Sequence, residues 1–158
     1  MISLIEDGED PRAPRFLYLL LRERDEEENV NISHSRMPTY AEHLQFMLNK
    51  PYRARYLIEV DCELVGSVSA TFSNEIGVHV RQPYRGYGYG KIAIQMLMAS
   101  LKPLHALPGR RRGCWLANIH PANERSKRLF ERLGFTLVQH TYALEEAPCH
   151  AKREANDP

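Results

Sequence analysis

With 158 residues, a formal net charge of +1 and an apolar share of 43%, the chain can bury a proper core and is too evenly charged for a general nucleic-acid or membrane binder. No apolar run reaches the roughly 20 residues needed to span a bilayer, and the acidic start (Glu6, Asp7, Glu9, Asp10) is unlike a secretory signal. Cys62, Cys114 and Cys149 are scattered, with no Cys-x-x-Cys, so neither a disulfide framework nor a metal site is expected, and a cytoplasmic location is.

In chain order, a first helix is expected from about Pro14, with Phe16, Leu17, Leu20 and Leu21 on one stripe. It runs into an acid-rich stretch, Arg22 to Glu28, and then into Asn29 to Met37, which has no period. Thr39-Tyr40-Ala41-Glu42 is a capping box, so a second helix starts there, with Tyr40, Leu44, Met47 and Leu48 on one face and Pro51 at its end. Three strands follow: Arg55 to Val60, Glu63 to Phe72 across the short turn Asp61-Cys62, and Glu75 to Val80 after Ser73-Asn74.

A third helix is expected over Ile92 to Leu101, with Ile94, Leu97, Met98 and Leu101 at helical spacing, ending at Pro103. Pro103 to Gly113 reads as a loop, in which Arg110, Arg111 and Arg112 should be solvated. Trp115 to Ile119 reads as a short buried strand, with Cys114 beside it as a small core residue. A fourth helix runs from about Asn123 to Leu133, with Gly134 placed for a left-handed cap. Phe135 to Leu144 would close the sheet, and Glu145 to Pro158 reads as a frayed tail. The order predicts an α+β fold with a mixed sheet in one domain over residues 1–145, the strands before and after the third helix being parallel.

The most informative segment joins the third strand to the third helix: Arg85-Gly86-Tyr87-Gly88-Tyr89-Gly90-Lys91. Alternating glycines let the main chain turn tightly and approach a ligand. A helix that starts right after the turn aims unpaired N–H groups and its positive dipole end into the loop, which favours an anion such as a pyrophosphate. Lys91 can face such a ligand. A P-loop is excluded because Ile92 stands where Ser or Thr is needed and Arg85 where the first glycine is needed; a dinucleotide fingerprint is excluded because Lys91 stands at its third glycine. A glycine-rich turn can also be only a strand-to-helix connection.

Arg85, Gly88 and Gly90 fill the pattern Arg/Gln-x-x-Gly-x-Gly/Ala, which resembles the acyl-CoA loop of the GNAT N-acetyltransferase superfamily. The segment Asn118-Ile119-His120-Pro121-Ala122-Asn123-Glu124-Arg125-Ser126, followed by Leu129 to Phe135, is similar to that family's second signature. The resemblance covers roughly residues 55–144. It implies a GNAT fold with a mixed central sheet flanked by helices, and acyl-CoA in a cleft between two splayed parallel strands.

It also implies the ligand's contacts. The pyrophosphate would lie on the main chain of Arg85, Gly86, Tyr87, Gly88, Tyr89, Gly90 and Lys91. The pantetheine arm would pair with the backbone near Val78 and Val80 as an added strand does. Asn118, Asn123, Ser126 and Phe130 would line the other side, although Ser126 could equally close a turn.

The chemistry implied is direct transfer of an acetyl group from acetyl-CoA to a primary amine, which needs a proton acceptor, an oxyanion donor and a fate for the thiolate. Glu75, which opens the strand before the cradle, is the first-choice base; His79 lies on the same face by the period of two and could relay a proton. Both residue types also serve purely structural ends. Many members carry tyrosine where this chain has Phe130, so no proton donor is available there. The thiolate can leave unassisted, or Tyr142, Tyr87 or water can serve. Tyr142, on the expected closing strand, is the first choice, although an aromatic there can equally be a sheet-surface residue.

The acceptor would be a small-molecule amine, such as an amino sugar, amino acid or polyamine, contacted by the link that holds Glu26, Glu27, Glu28, Asn31, His34 and Arg36. A protein lysine or N-terminal acetyltransferase and a non-catalytic acyl-CoA-binding module are the alternatives. No nucleic-acid or membrane partner is implied, and a monomer or homodimer is expected.

Overall fold

The computed structural model of the chain describes residues 1–27 and 36–142. Glu28, Asn31 and His34 of the acidic link, the last two residues of the expected closing strand and the tail with Cys149 lie outside the described residues.

A strand not anticipated from the sequence, β1 (Ile2–Glu6), opens the fold. Ile2 and Leu4 pack on one core cluster and Ile5 on the other, so no apolar–polar alternation marks the strand beside the acidic run after it. β1 pairs antiparallel with β2 (Tyr52–Val60), Ile2 opposite Val60 and Leu4 opposite Ile58. β2 turns into β3 (Glu63–Thr71) through Asp61 and Cys62, at φ +48° and +70°, the positive pair that a two-residue hairpin turn of the right twist requires. β4 (Ile76–Val80) completes an antiparallel sheet of order β1-β2-β3-β4.

Period-two alternation divides the contacts between two faces. Leu57 faces α1 (Ala13–Asp25), where Ala13, Leu17 and Leu20 are buried. Ile58, Val68 and Ile76 face α3 (Tyr89–Ser100), where Ala93, Ile94 and Leu97 are fully buried. Each of the leucine, isoleucine and valine side chains contributes about 1.5–3 kcal/mol on leaving water.

α2 (Tyr40–Leu48) begins at the capping box: Thr39 Oγ1 accepts from the Glu42 N–H, and the Glu42 carboxylate accepts from the Thr39 N–H at 2.7 Å. Its buried face differs from the expected one. Leu48 is 74% exposed, and His43 is buried instead, its Nε2 3.1 Å from the Pro14 carbonyl oxygen and its ring beside Tyr18. A ring nitrogen that finds a main-chain partner can be buried against α1 at little cost.

The sheet departs from the expected mixed one. Trp115 to Ile119 forms no strand; it meets the sheet at a single parallel bridge between Glu75 and Leu116. Ile76 N–H donates to the Leu116 carbonyl at 2.8 Å, and Leu116 N–H to the Asn74 carbonyl at 2.9 Å. Residues 135–142 likewise form no closing strand, and Leu137, Val138 and Tyr142 are exposed. One bridge leaves no ladder on which a further strand could build. Cys114, expected in the core, is exposed.

α4 (Glu124–Glu131) ends in a Schellman turn. Gly134 (φ +88°) donates to the Glu131 carbonyl at 2.9 Å and Phe135 to the Phe130 carbonyl at 3.1 Å, while the two rings meet edge-on with centroids 5.1 Å apart.

Candidate active site

β4 runs through Arg81 and a 3-10 turn (Gln82–Tyr84) into the glycine-rich loop. Gly86 and Gly88 adopt φ +88° and +83°, in the left-handed region that side chains disfavour, and a Cβ at either would meet no protein atom within 4 Å. Gly88 is the N-cap of α3 and offers no side-chain cap; the first helical bond is Ile92 N–H to the Gly88 carbonyl at 3.1 Å. The N–H groups of Tyr89, Gly90 and Lys91 therefore have no intrahelical acceptor. Such a turn is a concave set of donors at the positive end of a helix.

Gly90 has a different job. A Cβ there would sit 3.6 Å from Val80 Cγ2, 3.7 Å from Leu129 Cδ2 and 3.8 Å from Val78 Cγ2, ordinary contact distances, so this position faces the packing between α3, β4 and α4 and not the open side of the loop. Tyr87 and Tyr89 stack on one another at the loop, centroids 5.7 Å apart.

The register fixes which main-chain groups face the open side of β4. Arg81 N–H reaches the Val65 carbonyl and Thr71 N–H the Glu75 carbonyl, each at 2.9 Å, so the odd residues of β4 bond to β3. Ile76, Val78 and Val80 thus direct their N–H and C=O outward. Ile76 uses its N–H on Leu116, Val80 accepts from Arg85 Nε at 2.7 Å, and Val78 lies between them.

Asn118 is exposed just beyond Leu116. Asn123 caps α4: its Oδ1 accepts from Ser126 N–H at 3.0 Å, so Ser126 takes part through its main chain. Phe130 is 5% exposed and packed in the core.

Glu75 is half-buried at the bridge with Leu116. Its Oε2 accepts from Thr71 Oγ1 at 3.2 Å, and its N–H donates to the same oxygen at 3.1 Å. His79 lies four residues on, about 13 Å along the strand, so the two share a face without touching. The His79 side chain is 11% exposed; burial first, then the nearby Arg85, pushes its pKa down to about 4, leaving a neutral imidazole. Its Nε2 has no hydrogen-bond partner and stands 4.0 Å from Glu23 Oε2, which also has none. Tyr142 is 92% exposed and belongs to no strand, so the premise that placed it beside the acyl group does not hold.

The sequence reading missed an ion-pair lattice between the end of α1 and the loop. Glu23 Oε1 accepts from Arg81 Nε at 2.8 Å; Glu27 holds Arg85 and, at 3.0 Å, Arg125. Desolvation pulls the Glu27 carboxyl upward, but hydrogen bonds from the two arginines together outweigh it and leave it below the ordinary range. The acids at 23 and 27 face the arginines at 81 and 85, 58 residues on, and nothing local in the sequence signals that pairing. Glu27 is engaged here and is not a spare acid awaiting a cationic amine, and Arg36 is paired with Glu42. Among the described residues, no group of three or more His, Cys, Asp or Glu could hold a metal ion.

The profile of the Acetyltransferase (GNAT) family matches residues 17–135, which contain the glycine loop, both faces of the sheet and α4. The chain belongs to this family. As a GNAT acetyltransferase it shares its fold with an acetyltransferase from Thermus thermophilus (TM-score 0.63, 19% identity, 88% of this chain and 89% of that one). A ribosomal-protein-alanine N-acetyltransferase from Brucella melitensis biovar Abortus 2308 aligns at TM-score 0.61 and 17% identity over 92% of this GNAT chain and 99% of that one. yncA from Salmonella typhimurium, solved with its cofactor acetyl-CoA, aligns at TM-score 0.58 and 19% identity over 86% and 79%. No curated protein matches this sequence. No helix among the described residues is long and apolar enough to cross a membrane.

Proposed function

We propose that this GNAT protein transfers an acetyl group from acetyl-CoA to the primary amine of a small molecule. The supporting observation is the loop at Gly86 and Gly88, whose unpaired donors open beside the outward-facing main chain of β4. The donors suit a pyrophosphate, and the free groups of Val78 suit the amides of a pantetheine arm added as a strand. Pairing between β4 and the Leu116 segment stops at Ile76, which is consistent with an acyl-CoA cleft opening from that point. Asn123, whose Oδ1 is used by its own helix, keeps its amide N–H groups for the ligand.

Bound acetyl-CoA supplies the thioester that the amine attacks, and leaves as free CoA. Glu75, at the closed end of that divergence, takes the ammonium proton on its carboxylate, with Thr71 Oγ1 holding the group in place. His79, nearer the glycine loop, is a weaker acceptor, because its Nε2 is buried facing Glu23 and takes a proton only near pH 4. Phe130 has no hydroxyl to offer and Tyr142 stands exposed outside any strand, so the thiolate is protonated by solvent.

The experiment is a screen of amino sugars, amino acids and polyamines that reads free thiol released from acetyl-CoA. Turnover with a small amine supports the proposal. Labelling of protein amines from labelled acetyl-CoA, with no small-amine turnover, would replace it with a protein-modifying role, and binding without any turnover would leave a non-catalytic module.

A further inference from the structure

The Glu27 carboxylate is held by two arginines from separate parts of the fold. Arg85 is the first residue of the glycine loop; Arg125 lies in the first turn of α4 and donates from Nη2 at 3.0 Å. Arg85 is pinned at its other end, where Nε donates to the Val80 carbonyl on the outward edge of β4. The Arg85 and Glu27 side chains are only 19% and 25% exposed, while Arg125 is about half exposed. One carboxylate thus joins the loop side to the α4 side, across the edge of β4 where a cofactor would pass.

Two guanidinium groups on a single carboxylate leave one positive charge uncompensated. Their planar forks match phosphate oxygens as well as they match a carboxylate. Both are already oriented by the shared carboxylate, and Arg85 is in addition largely withdrawn from water, which is what a phosphate site needs. The unpaired N–H groups of Tyr89, Gly90 and Lys91 add to the pull on an incoming anion. A carboxylate left beside that anion would repel it.

We propose that Arg85 and Arg125 form an anion site in which Glu27 is an internal placeholder, and that a phosphate of acyl-CoA displaces it. This rests on the acyl-CoA reading above. The carboxylate keeps two arginines aligned without ligand and competes with the ligand for them. Apparent cofactor affinity is then lowered by the fraction of molecules in which Glu27 holds the site.

The test is calorimetric titration of CoA into the full chain, its Glu27→Gln variant and its Arg125→Gln variant, with melting temperatures to confirm folding. The expected results are at least fivefold tighter CoA binding by Glu27→Gln and weaker binding by Arg125→Gln. If Glu27 served only to position Arg85, removing its charge would weaken binding, so unchanged or weaker affinity in Glu27→Gln overturns the proposal. Dephospho-CoA identifies the phosphate: a gain that persists assigns the pyrophosphate, and a gain that vanishes assigns the 3′-phosphate. If the wild-type chain binds no CoA, the acyl-CoA reading fails and this site fails with it; wild-type binding without a gain in Glu27→Gln defeats the placeholder alone.

Discussion

Asn74 holds Leu104, thirty residues away, by both of its main-chain groups: Nδ2 donates to the Leu104 carbonyl at 2.8 Å, and Oδ1 accepts from the Leu104 N–H at 2.7 Å. The same Nδ2 also donates to the Arg112 carbonyl at 2.8 Å, and the residue is completely buried at φ +64°. Through its own carbonyl, Asn74 receives Leu116 as well. It therefore ties the 103–113 loop to the bridge at which Glu75 sits.

Asn74→Ala should destabilise the fold by about 3 kcal/mol, because three main-chain groups of Leu104 and Arg112 lose their partners and a side chain must keep a left-handed conformation. Urea unfolding checks it. A change below about 0.5 kcal/mol would mean the loop is held by other contacts.

Gly88→Val should weaken acetyl-CoA binding more than tenfold. Its side chain meets no protein atom within 4 Å, so it would project into the space a ligand needs, and the φ of +83° would strain the loop. Gly90→Ala should be milder, because its methyl faces Val80 and Leu129 at ordinary contact distance. Calorimetry on both variants measures this, and equal losses would refute the division of labour between the two glycines.

Asn123→Ala removes the cap that receives Ser126 N–H, a loss of about 1 kcal/mol that the fold should survive. If Asn123 also contacts cofactor, acetyl-CoA affinity should fall while melting changes little. Wild-type affinity would confine its role to the cap.

Glu75→Gln should lower turnover about a hundredfold or more at neutral pH with acetyl-CoA affinity unchanged, and the deficit should shrink at higher pH as the acceptor arrives deprotonated. Steady-state rates across pH decide this. Full activity throughout would shift the base to His79 or to water.

His79 gives the protein an acid-sensitive window whose sign follows from burial. In the unfolded chain the imidazole takes up its proton near 6.5; folded, it resists until about 4. The unfolded state binds more protons between those values, so stability falls as pH drops from about 6.5 and the full penalty, about 3 kcal/mol, is reached near pH 4. Burial pushes His43 the same way. Carboxylates held low by arginines, such as Glu42, act only below their unfolded value of 4.5. Unfolding free energies from pH 7 to 4.5 should fall less steeply in His79→Gln, and parallel curves would refute the assignment.

Local signals were legible wherever the chemistry is local. The Thr39–Glu42 box, the Asp61-Cys62 turn, the glycine loop and the Gly134 cap each depend on residues within a few positions, and each formed as its residues dictate. Periodicity likewise identified the core faces of α1 and α3, since a stripe of large apolar side chains must be buried somewhere.

Only the tertiary structure decided what depends on distant partners. β1 exists because β2 offers an edge to Ile2 and Leu4, while residues 135–142 stay unpaired because the Leu116 segment bridges at one residue and offers none. His43 replaced Leu48 on the buried face of α2 because Pro14 supplied an acceptor. The pairing of Glu23 with Arg81 and Glu27 with Arg85 spans 58 residues each, and no local rule selects which acid meets which base. An ion pair is chosen by the packing of α1 against the sheet, which places its C-terminal end beside Arg81 and Arg85, and that packing is a property of the whole sheet.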